Sequence, residues 1–384
     1  MGRWSGKYVI GLTGNIAMGK SLVRRMLEHL GAYTIDADGL AHQAMAPGAP
    51  AYKPTIAMFG QWILDSEKRI DRSKLGAVAF AHPDALKTLE RITHPVVGRA
   101  IDTLIQRARH DVIVVEAIKL FESGLAESCD AVWVVDASEE NQVKRLEKRG
   151  LPASEALKRI RVQNSQADKL AQADVVIVNN RTPEDTWKQV RAAWNKIPGI
   201  RDRADETLAP AAQARTATGQ AEALPAEKIA IVRGKPGNAD MIVNLLKEHL
   251  GKAVDRYDVL MKSYMLAMVD DRPVGLIGFV VENLVTRCDE LLIENDVPAS
   301  PVTAALVDAM ERASRELQSE VGYIFLPTSE PAETVAALKQ AGYEHKALEE
   351  IKVPAWREAA REARPDGYEI FSKKLRAERV LKPL

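Results

Sequence analysis

The sequence predicts an α/β protein: a parallel sheet built around one phosphate-binding loop, then a linker, then a second α/β unit. Three observations predict it. Gly14-Asn15-Ile16-Ala17-Met18-Gly19-Lys20-Ser21 has G-x-x-x-x-G-K-S spacing. The stretch follows an apolar run, Tyr8 to Thr13, and precedes Leu22, Val23, Met26, Leu27 and Leu30 at helical spacing. Periodicity is lost over 198–227, in Ala, Thr, Gln, Glu and Pro, and strand-helix alternation resumes at Lys228.

The chemistry of the loop follows from its position between a strand end and a helix start. Glycines let the backbone fold back so that several N–H groups point into one concavity. The helix N-terminus adds partial positive charge, Lys20 reaches the outer phosphates, and the Ser21 hydroxyl suits Mg²⁺. The stretch is a nucleoside triphosphate site, with Gly14 to Ser21 as its lining.

Composition limits the alternatives. With 384 residues, 46% hydrophobic and 28% charged, the chain has the make-up of ordinary globular protein with two or three domains. Basic and acidic residues balance at 53 each, so no global charge draws it to nucleic acid or a membrane surface. Cys129 and Cys288 lack metal-type spacing, exclude a disulfide framework and read as buried apolar residues in a reducing cytoplasm. No apolar stretch approaches the ~18 residues of a membrane span. The first apolar run leads straight into the loop, so it is not a signal peptide. Met1-Gly2 opens like a myristoylation site, but Gly6 stands where Ser or Thr is wanted.

Taken in order, Gly31 stops the first helix and Tyr33-Thr34-Ile35-Asp36 forms a second strand. A helix follows over Leu40 to Met45. Asp36 and Asp38 fall on the sheet edge that carries the loop, since parallel strands share a carboxyl end. Asp38 is either the N-cap of that helix or a base for an attacking hydroxyl. Residues 47–110 read as a mostly helical insertion with segments near 51–60, 73–80, 83–92 and 95–108. Asp71-Arg72 and Thr93-His94-Pro95 are its polar marks, and His94 before a proline suits the cap of the next helix. Asp111 to Ala117 is a central strand whose Glu116 sits where a water of the Mg²⁺ shell is often held. Ala131 to Asp136 and Ala173 to Val178 are the fourth and fifth strands, and Glu184 to Trp194 closes the domain. Between those strands lie Lys144, Arg145, Lys148, Arg149, Lys158, Arg159 and Arg161. They are a solvated helix face or, beside a phosphate loop, a basic lid.

These residues together resemble the dephospho-CoA kinases. The resemblance is carried by Ile10 to Gly14 with Gly19-Lys20-Ser21, Ile35-Asp36-Ala37-Asp38, Ile92-Thr93-His94-Pro95, Leu120 to Leu125 and Val134-Val135-Asp136. Gln142 to Leu146, Arg159-Ile160, Gln163, Lys169 and Ala173-Asp174 continue it, in order, over residues 7 to 196. It implies a P-loop kinase fold with a five-stranded parallel sheet, a helical substrate-binding insertion and a lid. It implies transfer of the ATP γ-phosphate to the ribose 3′-hydroxyl of dephospho-CoA, with Mg²⁺. By position Asp38 is then the base, Asp36 helps to place it, and Lys20 with the loop amides holds the phosphates. Ser21 ligates Mg²⁺, Glu116 holds it through water, Arg145 and Arg149 contact the nucleotide, and Arg72 and His94 bind the acceptor.

There are departures. Asn15 replaces the loop's usual second glycine, Ala17-Met18 its usual small pair, and Glu116 a common aspartate. Asn15 is expected to tolerate positive φ. Ile118-Lys119 stands where the family favours a proline and an apolar residue, which leaves a kinase of another small hydroxylated metabolite as a rival.

The second domain, 228–384, reads as strand Ile229–Val232, helix 240–250, a hairpin turning at Asp270 to Pro273, strand Leu284 to Glu294, and helix Pro301 to Gln318. Strand 323–326, helix 333–340 and strand 368–375 follow. The order resembles the GCN5-related N-acetyltransferase fold over 228–376. That family's Gly-rich pyrophosphate loop falls on Asn295 to Val302, where Pro298 and Pro301 remove donors and Asp296 adds negative charge. Ser300-Pro301 suits a helix N-cap and first turn. The expectation is a degenerate acetyltransferase-like domain, with Gly322 to Leu326 and Tyr343 as core. The rival from another class is a nucleotide-binding regulator that senses CoA or acetyl-CoA.

Overall fold

The computed structural model describes residues 3–200, 229–250 and 254–381. The chain divides into two units, Met1–Arg203 with Leu381–Leu384, and Ala204–Val380. The linker expected over 198–227 lies outside the described residues from 201 onward. No helix among the described residues is long and apolar enough to cross a membrane.

The first unit runs β1 (Tyr8–Thr13), α1 (Lys20–His29), β2 (Tyr33–Asp36), α2 (Ala37–Ala44), α3 (Tyr52–Phe59), α4 (Arg72–Ala81), α5 (Pro83–Arg107) and β3 (Val112–Glu116). It continues through β4 (Ala131–Asp136), α6 (Glu139–Lys148), α7 (Ala153–Arg161), α8 (Gln166–Ala171), β5 (Val175–Val178) and α9 (Pro183–Trp194). The sheet is the five-stranded parallel one expected, in the order β2-β3-β1-β4-β5. β1 is central, between β3 and β4, and buried from Val9 on, as the continuous apolar run requires. Its register sets Leu12 beside Glu116 on β3 and Thr13 beside Val134 on β4. The carboxyl ends of β1, β2 and β3 therefore form one edge, where the loop and Asp36 sit.

Two local expectations are corrected. The helix after β2 begins at Ala37, and Asp36, not Asp38, is its N-cap, accepting from Gly39 N at 2.9 Å. The strand ends at Asp36, whose extended φ and ψ suit a cap, and Asp38 is left in the first turn. His94 caps nothing: α5 is a single helix of 25 residues with Pro95 inside it. Pro95 forfeits one backbone bond, but the buried stripe of Val96, Val97, Ala100, Ile101, Leu104 and Ile105 holds the helix together.

The second unit runs β6 (Ala230–Arg233), α10 (Ala239–Leu250), α11 (Arg256–Leu260), β7 (Ser263–Val269), β8 (Arg272–Glu282), β9 (Val285–Ile293) and α12 (Ala299–Glu316). It ends with β10 (Val321–Pro327), α13 (Ala332–Gln340), β11 (Glu344–His345), α14 (Pro354–Ala363) and β12 (Tyr368–Lys374). These strands form a mixed sheet in the order β11-β12-β10-β9-β8-β7-β6. Among the described strands of this unit only β9 and β10, joined through α12, pair in parallel; this is the strand-helix-strand step of the expected order. The hairpin turn falls as expected, with Asp270 and Asp271 both at positive φ. The next reversal uses Asn283 and Leu284, also at positive φ, so β9 starts at Val285 and Leu284 is not in the strand. Ser300 is likewise not a cap: α12 begins at Ala299 behind Pro298, whose fixed φ suits the residue before a helix. Tyr323, Ile324, Phe325 and Tyr343 are core, as expected.

Candidate active site

The loop between β1 and α1 is shaped by two glycines and pinned by its own carbonyls. Gly14 has φ 145°, and a Cβ there would come within 2.5 Å of Val135 O. Gly19 has φ 100°, and a Cβ there would lie 2.0 Å from Asn179 Nδ2. Between them it is Ala17, at φ 57°, that takes the left-handed conformation. Asn15 does not, so its tolerance of positive φ is not what lets it replace glycine.

Three loop carbonyls are held from outside. Gln142 Nε2 donates to Ile16 O at 2.7 Å, and Arg145 Nη1 donates to Ala17 O at 2.9 Å and Met18 O at 3.0 Å. Arg145 Nη2 reaches Asn179 O at 2.6 Å, and Asn179 Nδ2 also donates to Met18 O, at 3.0 Å. In a trans peptide the N–H points opposite to the C=O, so these bonds turn the amides of Ala17 and Gly19 to the other side of the loop. Arg145 is thus brought to the loop's backbone. Gln142 and Asn179 share this task, and nothing in their sequence positions signals it.

Two further amides are taken by one polar segment. Gln166 Oε1 accepts from Asn15 N at 3.2 Å, and Gln163 Oε1 from Ile16 N at 2.7 Å. Asn15 Nδ2 donates to Asn164 O at 2.9 Å, which accounts for an amide side chain at this buried position. The basic region otherwise divides. Lys144 and Lys158 pair with Glu140 and Glu155 on their own helices, the solvated-face pattern. Arg149 is exposed at the end of α6, near enough for Lys20 to sense its charge.

The catalytic candidates gather on the sheet edge. Lys20 is buried, with Nζ 3.3 Å from Asn15 O. Burial lowers its pKa below the usual lysine range, and the carboxylates of Glu116 and Asp38 work against that shift. Asp38, half-buried in the first turn of α2, accepts from Ile118 N through Oδ2 at 3.1 Å. Burial raises its pKa above the usual carboxylate range, and the Ile118 hydrogen bond offsets part of the rise. Glu116 is buried with Oε2 2.7 Å from Arg24 Nε, and burial also raises its pKa. Ser21 is half-buried in the first turn of α1. Lys169, which the sequence offers only as part of the resemblance and without a role, is buried on α8 and donates to Ile118 O at 2.9 Å, and its charge reaches both Asp38 and Lys20.

Arg72 and His94 do not join this group. They are exposed on α4 and α5, within the insertion and not on the sheet edge. Lys119, the other departure, pairs with Glu90 of α5 at 2.6 Å.

A buried lysine, a carboxylate raised by burial and a glycine-shaped loop are the parts needed to move a phosphoryl group onto a hydroxyl. Comparison with known proteins agrees. The family model described as dephospho-CoA kinase matches residues 8–185. The dephospho-CoA kinase of Geobacter metallireducens is 44% identical over 192 residues, covering 49% of this chain and 96% of that protein. A solved dephospho-CoA kinase from Campylobacter jejuni is 30% identical and covers 50% of this chain and 97% of its own, with a TM-score of 0.38. For the rest of the chain, a GNAT-family acetyltransferase from Staphylococcus aureus is 13% identical and covers 38% of this chain and 99% of its own, with a TM-score of 0.30. On the strength of the curated relative, matched almost end to end, the chain belongs to the dephospho-CoA kinase family.

Proposed function

We propose that this chain transfers the γ-phosphoryl group of ATP to the ribose 3′-hydroxyl of dephospho-CoA, releasing ADP and coenzyme A. The observation that carries the reading is Asp38, held by Ile118 N–H on the same sheet edge as the phosphate loop, with its charge felt by Lys20. Its raised pKa makes it a stronger proton acceptor than an exposed aspartate. In the step, the 3′-oxygen bonds to the γ-phosphorus, the bond to the β-γ bridging oxygen breaks, and Asp38 takes the hydroxyl proton. Lys20 and the loop amides stabilise the charge on the phosphoryl oxygens.

ATP brings Mg²⁺ in this reading, and the ion would neutralise charge between the β- and γ-phosphates. Ser21 and, through water, Glu116 are the residues that would hold it. The donor set fits such an ion: both donors are oxygens, the Ser21 hydroxyl in the first turn of α1 and the Glu116 carboxylate at the end of β3. One hydroxyl and one carboxylate leave the remaining positions to phosphate and water, as Mg²⁺ prefers.

Arg145 and Arg149 would act on the nucleotide side, Arg145 through the loop carbonyls it holds. Asp36 would act by capping α2, and Arg72 and His94 by meeting the acceptor on the insertion. Lys119, one of the two departures on the substrate side, has its charge paired within the chain, with Glu90. Residues 1–197 would carry the kinase, 198–227 the linker, and 228–384 an acetyltransferase-like domain without transferase chemistry. The cytoplasm is the compartment that suits the reading; Cys129 and Cys288 are both free thiols. The test is direct: full-length protein with ATP and dephospho-CoA should release ADP and coenzyme A in equal amounts, and ADP without coenzyme A would overturn the proposal.

A further inference from the structure

We infer that Lys169 is a second cation of the transfer site, its ammonium bearing on the phosphoryl group as it passes to the acceptor hydroxyl. This rests on the kinase reading above and deepens it, since that reading gives Lys169 no task. Lys169 lies on α8, outside the phosphate loop, and is 4% exposed. Its Nζ makes one hydrogen bond, to Ile118 O at 2.9 Å, and it pairs with no carboxylate among the described residues. Any residue at 118 offers that carbonyl, proline included, so the anchor does not depend on the departure at Ile118. Lys20 is placed alike: buried, with Nζ on Asn15 O at 3.3 Å and no paired carboxylate among the described residues. A buried ammonium held only by a neutral carbonyl is costly, and an anion beside it removes the cost. The two ammoniums also stand close enough for Lys169 to repel the charge on Lys20. An anion reached by both would relieve the burial and the repulsion together.

The nearby carboxylates do not take that place. Asp38 gives Oδ2 to Ile118 N, and Glu122 accepts from Asn164. Burial lowers the pKa of Lys169 below the usual lysine range, against the attraction of Glu122 and Asp38. Asp38 and Lys169 thus meet the N–H and the C=O of one residue. Thr13 Oγ1, at the end of β1 just before Gly14, donates to the same carbonyl at 3.2 Å. Lys169 is therefore fixed between the base and the start of the loop, while Lys20 approaches from the loop itself. A phosphoryl group in transfer spreads its negative charge over three oxygens, and a fixed cation on the acceptor side stabilises it there without reorganisation.

Lys169→Met removes the charge and keeps the length; Lys169→Arg keeps the charge. In the full chain, Lys169→Met should lower kcat for coenzyme A formation by roughly a hundredfold, with KM for ATP within about threefold. Lys169→Arg should stay within about tenfold of the parent. Two readouts separate this from structural support. The nucleotide-free melting temperature of Lys169→Met should equal or exceed the parent's, because a buried unpaired charge is gone and Thr13 still serves Ile118 O. Binding of ADP alone should be unchanged. Binding of ADP with tetrafluoroaluminate and dephospho-CoA, a mimic of the group in transfer, should weaken by about the factor lost in kcat. A parent-like kcat, an equal weakening of ADP and of the mimic, or a lower nucleotide-free melt, failure to fold included, would overturn the inference. So would a loss confined to acid pH, for Lys169 would then act only on the ionisation of Asp38. A parent chain that makes no coenzyme A removes the kinase reading instead, and this inference with it.

Discussion

Arg24 Nε stands 2.7 Å from Glu116 Oε2, with the two side chains 5% and 9% exposed. The pair joins α1, which starts at the phosphate loop, to the carboxyl end of β3. Arg24 also lies 3.5 Å from Glu28 Oε1, and Glu28 Oε2 is 2.6 Å from Arg25 Nη1. Two arginines and two glutamates are thus enclosed together. For Glu28, burial works against ionisation, but Arg25 and then Arg24 prevail and hold its pKa low. For Glu116, burial prevails despite Arg24.

Arg24→Met should therefore lower the free energy of unfolding by about 3 kcal/mol at neutral pH, because it leaves a buried carboxylate uncompensated. The pH dependence has a definite sign. A folded-state pKa raised above the unfolded value makes a contribution that is present below the unfolded pKa and lost as pH rises through the folded one. Without Arg24 the pKa of Glu116 rises further, so the deficit should grow from acid to neutral pH. Urea unfolding of parent and variant at two pH values measures it; a deficit independent of pH would mean that the lost packing of Arg24, not its charge, is responsible.

Asp38→Asn should lower kcat for coenzyme A formation by roughly a hundredfold to ten-thousandfold while ATP binding changes little. The asparagine can still accept from Ile118 N–H, so the loop side of the site is preserved. Unchanged kcat would remove Asp38 from the proton transfer.

What was legible in the sequence was what leaves a periodic trace. The run from Tyr8 to Leu30 was readable because a buried parallel strand is continuously apolar, the loop has fixed spacing and the helix has an apolar face. What was missed is long-range or conformational. Asp36 and Asp38 are chemically equal candidates for a cap, and only the φ and ψ at which β2 ends separate them. Pro95 looked like a boundary because its local penalty is visible and the packing of the residues after it is not. Arg24 and Arg25 look like surface residues of an amphipathic helix until Glu28 and Glu116 are seen to enclose them. Gln163 enters the sequence reading only through the resemblance and Gln166 not at all, and their bonds to the loop amides have no spacing to betray them. Ile118 stood out only as a departure; what it supplies, an N–H aimed at Asp38, is a backbone property that no side-chain pattern encodes.

Arg145→Lys should raise KM for ATP by about tenfold and lower the melting temperature of the nucleotide-free chain. A guanidinium serves Ala17 O, Met18 O and Asn179 O from two nitrogens in a fixed fork, and one ammonium cannot match that geometry. The nucleotide-free melt discriminates between roles. If melting without ATP is unchanged while ATP binding weakens, Arg145 acts on the nucleotide itself and not through the loop.

The last prediction concerns the start of α12, where an acetyltransferase of this strand order would need free amides for a pyrophosphate. Ser300 N already donates to Glu333 Oε1 at 3.1 Å, and Asp296, just before the helix, pairs with Arg272 at 2.8 Å. Pro298 and Pro301 supply no donors. An internal carboxylate therefore occupies the favourable end of the helix dipole, and a second anion would meet it and Asp296 at close range. Full-length protein given acetyl-CoA and simple amines should release no thiol above the uncatalysed rate. Glu333→Ala should weaken the second unit by up to about 1 kcal/mol, the worth of a carboxylate at a helix start, without producing turnover. Thiol release by the parent chain would show that acetyl-CoA is bound and used by a route other than the α12 amides. Release only after Glu333→Ala would show that this carboxylate alone had blocked the site.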